Sequence, residues 1–404
     1  MIGLLFAREK PHHNSLVALL GSLEREGLAD ECDIRLAPPG EIVAEYEQAA
    51  AQGNRCLVGF SLATSDIPRF TSLATSLRRV LRPGDLVIAG GPHPSAADEA
   101  ILSLGADVVF HGEADLSFPL FIRAILHGHE WRDLPGLSVI AGSRVVRNPP
   151  PEPIEINRVR SRFGPLRLLA PLELTRGCPH ACAFCQTPWL WGRQPRHRSP
   201  ENIVEELADY RPSHFVRFLS PNAFGYQAER PGEPNVGAIV QLLESVRARH
   251  PTLRINFGMF PSEVRPEYVR RDLVRAIRPL VSNCHLAVGA QSGSDRVLAL
   301  AQRGHTVADI FRAAEIILSE KMAVLVDILF GLPGESADDV RQTRHMMEQI
   351  ESWGGRFRAH VFSPLPGTAF AHAPHPAHLD EKTLAFLDQM AKRGGLEGAW
   401  KAQR

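Results

Sequence analysis

Short apolar runs alternate with amphipathic segments of helical period along the first 128 residues, and no other feature constrains the fold as strongly. The alternation predicts a parallel sheet wound with helices. The apolar runs lie at residues 2–7, 33–37, 56–62, 85–89 and 107–111. Helices are expected near Ser15, Glu41, Ile67 and Ala97 and after Asp115. Five strands with crossover helices predict an α/β, flavodoxin-like (Rossmann-like) doubly wound sheet, in which ligands lie beyond the carboxyl ends of the strands.

The same alternation resumes from about Leu166, after a predicted hairpin at residues 137–146 and the proline-rich segment Asn148-Pro-Pro-Pro-Glu-Pro. Strands are expected near residues 170–175, 215–219, 254–259, 285–289, 323–330 and 358–362. Six strand-helix units predict a partial (β/α)6 TIM-like barrel, which carries its chemistry on the loops after the strands.

Consecutive prolines favour an extended spacer, so a domain boundary is expected there. The predicted organisation is a first domain at 1–147, a linker at 148–165, the barrel at 166–370 and a C-terminal helical tail at 371–404. Within the tail, residues 379–392 are expected to form a helix and the last dozen residues to fray.

Composition narrows the class of partner. The 404 residues suit two domains, and 45 Lys plus Arg balance 45 Asp plus Glu. A chain without net charge has no field that favours nucleic acid or an anionic membrane, so a small-molecule substrate is expected. The short apolar start meets Arg8-Glu9-Lys10, which fits neither a signal peptide nor a membrane span and indicates a cytoplasmic protein.

Three of the six cysteines lie within eight positions, in Cys178-Pro-His-Ala-Cys182-Ala-Phe-Cys185, directly after the first barrel strand. Thiolates are the soft ligands that iron-sulfur clusters require, and three of them leave one iron of a four-iron cubane open. The alternative is a structural zinc site with His180 as the fourth ligand. Structural zinc loops usually supply two well-separated ligand pairs, which this segment lacks.

The Cys-x3-Cys-x2-Cys spacing, with Phe184 before the last cysteine, resembles the radical S-adenosylmethionine superfamily. The resemblance implies that Cys178, Cys182 and Cys185 hold a 4Fe-4S cluster whose open iron binds S-adenosylmethionine. In that family one electron then breaks the sulfonium bond and gives a 5'-deoxyadenosyl radical. By the same resemblance Phe184 lies near the adenine, and an electron donor such as flavodoxin or ferredoxin is a partner.

Later loops of the barrel extend this resemblance. Gln291 and Ser292, followed by Arg303-Gly-His-Thr, are similar to the segment that contacts the ribose and methionine portions of the ligand. After the fifth strand, glycines such as Gly331 would let the backbone approach a ligand, although the same residues suit an ordinary turn.

Two further loops carry polar side chains. Ser220 and Asn222 follow the second barrel strand and either reach the ligand or cap the turn. Residues 189–199 contain three arginines, a histidine and two tryptophans. Such a run is usually a solvated loop, and the alternative is contact with substrate or the electron donor.

In the first domain, small residues follow the third and fourth strands, where this fold forms its ligand crevice. They are Ser61, Thr64, Gly90, Gly91 and His93. They admit a bulky ligand and equally suit tight loops. With Gly112 and Glu113 after them, the order of segments resembles the cobalamin-binding domain of a large branch of the radical superfamily. The resemblance implies that Ser61 and Thr64 face the nucleotide tail of cobalamin and that Gly90 and Gly91 pass beside it.

The Asp-x-His-x-x-Gly motif that supplies a lower histidine ligand in many cobalamin proteins is missing, as it is from many members of that branch. His12 or His13 in the corresponding stretch could ligate cobalt, although lone loop histidines more often face solvent. Cys32, Cys56 and Cys284 are expected to be small core residues.

If both cofactors bind, the economical hypothesis is methyl transfer to an unactivated carbon or to phosphorus. A cobalamin-linked ring closure or rearrangement without methylation is one alternative, and a non-catalytic cobalamin or metal sensor is another. A methylthiotransferase is disfavoured, because its extra N-terminal cysteine trio and its appended RNA-binding domain have no counterpart in this sequence. The sequence indicates neither the substrate nor the oligomeric state.

Overall fold

The computed structural model describes residues 1–208, 210–211, 214–375 and 379–401. Contacts within the chain divide it into two units, Met1–Ala170 and Pro171–Arg404, and each is described by itself. Over the described ranges, none of the helices combines the length and apolar character needed to cross a bilayer.

The first unit is built on a seven-stranded sheet in the order β2-β1-β3-β4-β5-β6-β7. The strands are β1 Ile2–Ala7, β2 Cys32–Ala37, β3 Arg55–Ser61, β4 Leu86–Gly90, β5 Val108–Phe110, β6 Leu137–Ala141 and β7 Arg144–Arg147. The first five are parallel, and their order is that of a flavodoxin-like sheet, as predicted. The expected hairpin forms β6 and β7, which extend the sheet antiparallel to β5.

Helices cover both faces of this sheet. They are α1 His13–Arg25, α2 Ile42–Ala50, α3 Ile67–Arg78, α4 Pro92–Ala96, α5 Asp98–Ser103 and α6 Ala114–His127. Leu20 of α1 and Phe121 of α6 belong to one core, while Tyr46 of α2 and Phe70 of α3 belong to the other. Because each central strand is buried on both faces, it is a nearly continuous apolar run in the sequence.

The segment expected as a linker, residues 148–165, differs from the prediction because it packs within the first unit. Strand β8, Arg162–Phe163, pairs antiparallel with β9, Leu168–Leu169. The Phe163 side chain is buried in the core that contains α1. Prolines extend the start of the segment, but its later apolar side chains gain stability by leaving water. The division between the units consequently falls at Ala170 rather than at residue 165.

The second unit contains β10 Leu172–Glu173, β11 Thr175–Arg176, β12 Arg196–His197, β13 Phe215–Leu219, β14 Arg254–Asn256, β15 His285–Gln291, β16 Ala323–Phe330, β17 Arg356–Val361 and β18 Leu396–Glu397. Parallel strands follow one another in two sheets, β10-β13-β14 and β15-β16-β17-β18. An isolated parallel bridge pairs Val264, in the segment after β14, with Val288 of β15. This succession confirms the predicted partial barrel. The separate pair of β11 and β12 flanks the cysteine loop.

The helices of the second unit are α7 Thr187–Trp191, α8 Pro200–Glu206, α9 Val236–Arg249, α10 Arg271–Ile277, α11 Asp295–Leu300, α12 Val307–Ser319, α13 Ala337–Ser352 and α14 Glu381–Lys392. Helix α14 confirms the expected closing helix. The expected fraying beyond it is wrong for residues 393–401, because Leu396 pairs with Phe357 and Trp400 is buried in the core. Residues 402–404 lie outside the described part of the chain.

Candidate cofactor sites

The backbone of the cysteine loop is fixed by contacts with the segment before β12. Gly177 has a φ of +88°, and a Cβ atom there would lie 2.7 Å from the carbonyl oxygen of Gln194. The Cys178 amide donates to the carbonyl oxygen of Gly192 at 3.1 Å. The Cys185 amide donates to the carbonyl oxygen of Cys182 at 3.0 Å. Only glycine suits the position before Cys178, so the sequence sets this turn locally.

The three thiols of the cysteine loop are free, and two of them, Cys178 and Cys182, are buried. Structural zinc and iron-sulfur clusters both use thiolate ligands, but structural zinc takes a fourth protein ligand. Three cysteines alone suit a four-iron cluster that keeps one iron open.

His180, the alternative fourth zinc ligand, has another partner. Its Nε2 atom lies 3.1 Å from the Tyr268 hydroxyl. Burial lowers the pKa of His180 to about 4, so the ring is neutral at physiological pH. The histidine therefore supports Tyr268 rather than completing a four-ligand set.

Two arginines surround Cys182. The Nη1 atoms of Arg265 and Arg303 donate to its Sγ atom at 3.3 and 3.2 Å. Burial alone would raise the pKa of Cys182, but the charges of Arg303 and Arg265 outweigh it and lower that pKa. By contrast, burial raises the pKa of Cys178 to about 11 and also raises the pKa of Cys185. Arg303 belongs to a motif that the sequence analysis identified, whereas Arg265 was not predicted because no local pattern marks it.

The half-buried carboxylate of Glu267 lies beside Arg265 and was likewise not predicted from the sequence. Glu267 accepts from Arg265 Nε at 2.6 Å, and its other oxygen lies 3.4 Å from His305 Nδ1. Although burial opposes ionisation, His305 and Arg265 lower the pKa of Glu267 to about 2. The negative charge holds the Arg265 guanidinium in place beside the cysteine loop.

Phe184 is partly buried at the edge of a small apolar cluster. Its backbone neighbour Ala183 donates to the carbonyl oxygen of Ala301 and accepts from the amide of Phe370, both at 3.0 Å. The Phe184 ring packs against the cluster that includes Val297, and the Arg303 guanidinium lies 5.8 Å from the ring centroid. An aromatic face in this position can contact a flat heterocycle.

Gln291 and Ser292 have different surroundings. Gln291 has a φ of +78°, and a Cβ atom on Gly289 would lie 3.2 Å from its Nε2 atom and 3.4 Å from Arg303 Nη2. The Gln291 amide therefore lies beside Arg303. The buried Ser292 hydroxyl instead lies 3.4 Å from the Thr343 hydroxyl of α13. Gln291 therefore lies beside an arginine that contacts Cys182, whereas the Ser292 hydroxyl faces helix α13.

Ser220 and Asn222 form a buried turn that is linked to Arg265. The backbone amide of Asn222 donates to the Ser220 hydroxyl, and the side-chain Oδ1 atom of Asn222 accepts from the Arg265 backbone amide, both at 3.2 Å. The Asn222 Nδ2 atom is buried and has no hydrogen-bond partner. Asn222 lines a cavity together with Cys178 and Tyr268. Its free donor is a candidate ligand contact.

Gly331 lies at the end of β16 with a φ of +76°. Its amide donates to Glu335 Oε2 at 2.6 Å, while Glu335 Oε1 is buried without a partner. Burial raises the pKa of Glu335 to about 7. The loop is therefore closed by a carboxyl group that the sequence prediction did not single out.

Arg358 of β17 connects two carboxylates that were also missed. It forms two hydrogen bonds of 2.7 Å with Asp327 of β16 and one of 2.6 Å with Glu263. Burial raises the pKa of Asp327 to about 7. A lone aspartate inside an otherwise apolar strand is the signal that could have indicated this network.

The loop at residues 189–199 is only partly solvated, so the expectation of a solvated run is wrong for Arg198. The Arg198 side chain is fully buried and donates to the carbonyl oxygen of Glu173 at 2.8 Å. Arg193 is exposed and donates to the carbonyl oxygen of Pro179.

In the first unit, the chain segments that follow β3 and β4 pack closely against each other. The φ of Gly91 is +109°, and the Leu62 amide donates to the carbonyl oxygen of Gly90 at 2.8 Å. The Thr64 hydroxyl lies 3.1 Å from His93 Nδ1. The Ser61 Oγ atom is buried and has no hydrogen-bond partner. A hydroxyl without a hydrogen-bond partner, next to glycine backbone that carries no side chain, fits a large polar ligand such as cobalamin.

Gly112 and Glu113 lie after β5. Gly112 has a φ of +70°, and a Cβ atom there would meet no atom within 4 Å. Its amide donates to the Ser95 hydroxyl at 3.0 Å, whereas Glu113 Oε2 accepts from the Ile154 amide at 3.1 Å. Glu113 therefore anchors the segment after the hairpin, and Gly112 leaves open space.

His12 and His13 do not face solvent freely, contrary to expectation, because both are half-buried. His12 Nε2 lies 2.8 Å from Asp66 Oδ2, and His13 Nε2 lies 2.7 Å from the carbonyl oxygen of Leu169. Of the three cysteines expected in the core, Cys56 is buried and Cys32 half-buried, but Cys284 is exposed.

Comparison with known families defines the class of protein. Residues 6–122 match the B12 binding domain, and residues 172–347 match the radical SAM superfamily. The chain therefore carries a B12-binding domain followed by a radical SAM domain. These domains imply a 4Fe-4S cluster, S-adenosylmethionine and cobalamin as cofactors, in agreement with the sequence prediction.

Solved structures with the same fold include radical S-adenosylmethionine methyltransferase TsrM from Kitasatospora setae, with cobalamin and a [4Fe-4S] cluster bound. It has a TM-score of 0.71 at 16% identity, over 92% of this chain and 74% of that one. The cobalamin-dependent S-adenosylmethionine radical enzyme OxsB has a TM-score of 0.69 at 15% identity, over 86% of this chain and 51% of that one.

Curated relatives include tRNA-2-methylthio-N(6)-dimethylallyladenosine synthases. That of Syntrophus aciditrophicus is 31% identical over 44% of this chain and 38% of its own length. That of Chlorobaculum tepidum is 30% identical over 66% of this chain and 59% of its own length. The chain thus spans from about two fifths to three fifths of the length of these two relatives.

Proposed function

We propose that this protein is a cobalamin-dependent radical S-adenosylmethionine methyltransferase that methylates an unactivated carbon of a small molecule. The observation that carries the proposal is the loop of Cys178, Cys182 and Cys185 after the first barrel strand, in a chain whose other unit has the B12-binding fold. When bound, the cluster and S-adenosylmethionine supply hydrogen-abstracting radical chemistry, and methylcobalamin supplies a transferable methyl group.

The residues of the chain bind and orient these groups. Cys178, Cys182 and Cys185 hold the cluster, while Phe184 and Gln291 contact S-adenosylmethionine. Ser220, Asn222 and the Gly331 backbone are secondary candidates for the same ligand. In the first unit, Ser61, Thr64, Gly90 and Gly91 contact cobalamin, with His93, Gly112 and Glu113 around them. Buried side chains around Cys182 exclude water, which protects a reactive radical from side reactions.

The substrate is a small molecule, and the reductant is a flavodoxin or ferredoxin in the cytoplasm. A neutral net charge supports a small molecule over nucleic acid. The Asp327–Arg358–Glu263 network adds polar and charged groups to the barrel, which favours a polar substrate.

Anaerobic assays with isotope-labelled S-adenosylmethionine test the function. Reconstituted protein is supplied with dithionite, hydroxocobalamin, S-adenosylmethionine carrying a trideuterated methyl group, and the small-molecule fraction of its native cells, so that every methyl group transferred through cobalamin carries the label. We expect deoxyadenosine, S-adenosylhomocysteine and a metabolite that has gained one labelled methyl group. Cys182→Ala should abolish deoxyadenosine, whereas Cys284→Ala, at an exposed cysteine outside the loop, should not.

Other outcomes contradict the proposal in distinct ways. Deoxyadenosine without label transfer would indicate ring closure or rearrangement. A product that gained both sulfur and methyl would indicate methylthiolation. Intact S-adenosylmethionine with a loaded, reduced cluster would indicate a sensor.

A further inference from the structure

The three cysteines of the cluster loop have unequal surroundings. Cys182 is contacted by two cationic donors, Arg265 Nη1 at 3.3 Å and Arg303 Nη1 at 3.2 Å. The hydrogen bonds that lower the pKa of Cys178 and of Cys185 come from neutral groups, the His180 backbone amide and the hydroxyl and amide of Thr187, respectively. Cys182 is therefore the cysteine of the loop that has hydrogen bonds from two arginines.

Both guanidinium groups are fixed by further contacts. Arg265 is 5% exposed; it is bound by Glu267 at 2.6 Å and donates through Nη2 to the carbonyl oxygen of Arg303. Arg303 is 6% exposed and donates through Nη2 to the carbonyl oxygen of Gly289. These contacts hold both guanidinium groups beside Cys182, although the Nε atom of Arg303 is buried without a hydrogen-bond partner.

Fixed positive charge next to a cluster ligand has a direct electronic consequence. Reduction adds one negative charge to the cluster, and hydrogen bonds to its sulfurs are among the factors that set its potential. Charge-assisted hydrogen bonds are about twice as strong as neutral ones, and the buried surroundings screen them weakly. Two guanidiniums on one thiolate therefore stabilise the reduced state more than the oxidised state.

We propose that Arg265 and Arg303 are positioning residues that raise the reduction potential of the cluster by donating to Cys182. The pair makes the cluster easier for its electron donor to reduce. This inference rests on the three-cysteine cluster of the proposed function and not on methyl transfer. The test of the reduction potential therefore does not depend on which product the enzyme makes.

A potentiometric titration of the cluster without S-adenosylmethionine tests this. The reconstituted full-length wild type, Arg303→Met and Arg303→Lys are poised with mediators, and the reduced cluster is counted by electron paramagnetic resonance. The control is Arg247→Met in the same unit, since Arg247 donates to the carbonyl oxygens of Leu280 and Leu253.

We expect the midpoint of Arg303→Met to shift to a more negative potential, so less of it is reduced at the potential that half-reduces the wild type. Arg303→Lys keeps the charge with fewer donors and should lie between the two, and Arg247→Met should match the wild type. Iron and sulfide content shows which variants carry a full cluster.

An unchanged midpoint in fully loaded Arg303→Met would overturn the inference. If that variant holds no cluster, Arg265→Met is titrated in its place, and a midpoint equal to that of the wild type in this variant has the same effect. A loss of S-adenosylmethionine affinity with an unchanged midpoint would show that the arginines instead bind the carboxylate of that ligand.

Discussion

A Cβ atom on Gly91 would lie 2.8 Å from the carbonyl oxygen of Leu62, because the chain after β4 folds back against the end of β3. With its φ of +109°, Gly91 is a position where an alanine is strained twice, by its backbone and by this contact. We expect Gly91→Ala to destabilise the first unit by about 2 kcal/mol or more and to weaken cobalamin binding.

Thermal unfolding and a cobalamin absorption titration measure both effects. Gly84→Ala is the matched control in the same unit, since its φ is +93° but a Cβ there would meet no atom within 4 Å. If Gly91→Ala binds cobalamin as Gly84→Ala does, the segment after β4 is not part of the cobalamin site.

The turn before Cys178 gives a second prediction. Gly177→Ala places a Cβ 2.7 Å from the carbonyl oxygen of Gln194 at a φ of +88°, so the loop must shift. We expect most of the iron to be lost after reconstitution, measured as iron and sulfide per chain. Gly192→Ala controls for backbone strain, because its φ is +79° but its Cβ would meet no atom within 4 Å. Equal iron loss in both variants would rule out the contact as the cause.

Arg358 gives a third prediction. Replacing it with methionine leaves Asp327 buried without its cation, which costs about 3 kcal/mol or more of unfolding free energy. The double variant Arg358→Met/Asp327→Leu should regain part of that loss, because both charges are then gone. Arg356→Met, an exposed position on the same strand, is the control in denaturant unfolding. Additive losses in the double variant would show that the two side chains do not interact.

Much of the fold could be predicted from the sequence because strand burial is a local signal. The run Leu57-Val-Gly-Phe is apolar because the strand is covered on both faces, and any such run indicates a central strand. The segment after Asn148 was predicted to be a linker because its prolines indicate an extended backbone, but prolines do not indicate what a segment packs against. Phe163 of this segment packs in the core that contains α1, which is far away in the sequence.

The site was predictable only in part. Three cysteines within eight positions can be recognised from the sequence as a ligand set. Arg265 lies 83 positions away from Cys182 in the sequence, and no motif spacing predicts that the two side chains meet. Ser292 was a reasonable polar candidate by position in its loop, yet the strand turns its hydroxyl toward Thr343. Which face a loop side chain takes depends on the helix packed against it, and sequence spacing does not encode that contact.

Glu335 gives the last prediction, on pH. Its folded pKa is raised by burial from 4.5 to about 7. Between these values the unfolded chain ionises Glu335 while the folded chain keeps it protonated, so the free energy of unfolding falls as pH rises. Glu335→Gln stays neutral and should escape this loss of about 2–3 kcal/mol. In urea unfolding at pH 4.5 and pH 8, the free energy of unfolding of the variant relative to that of the wild type should be higher at pH 8 than at pH 4.5. A constant difference would mean that Glu335 is ionised in the folded protein, with its buried oxygen bound to a cation or to water.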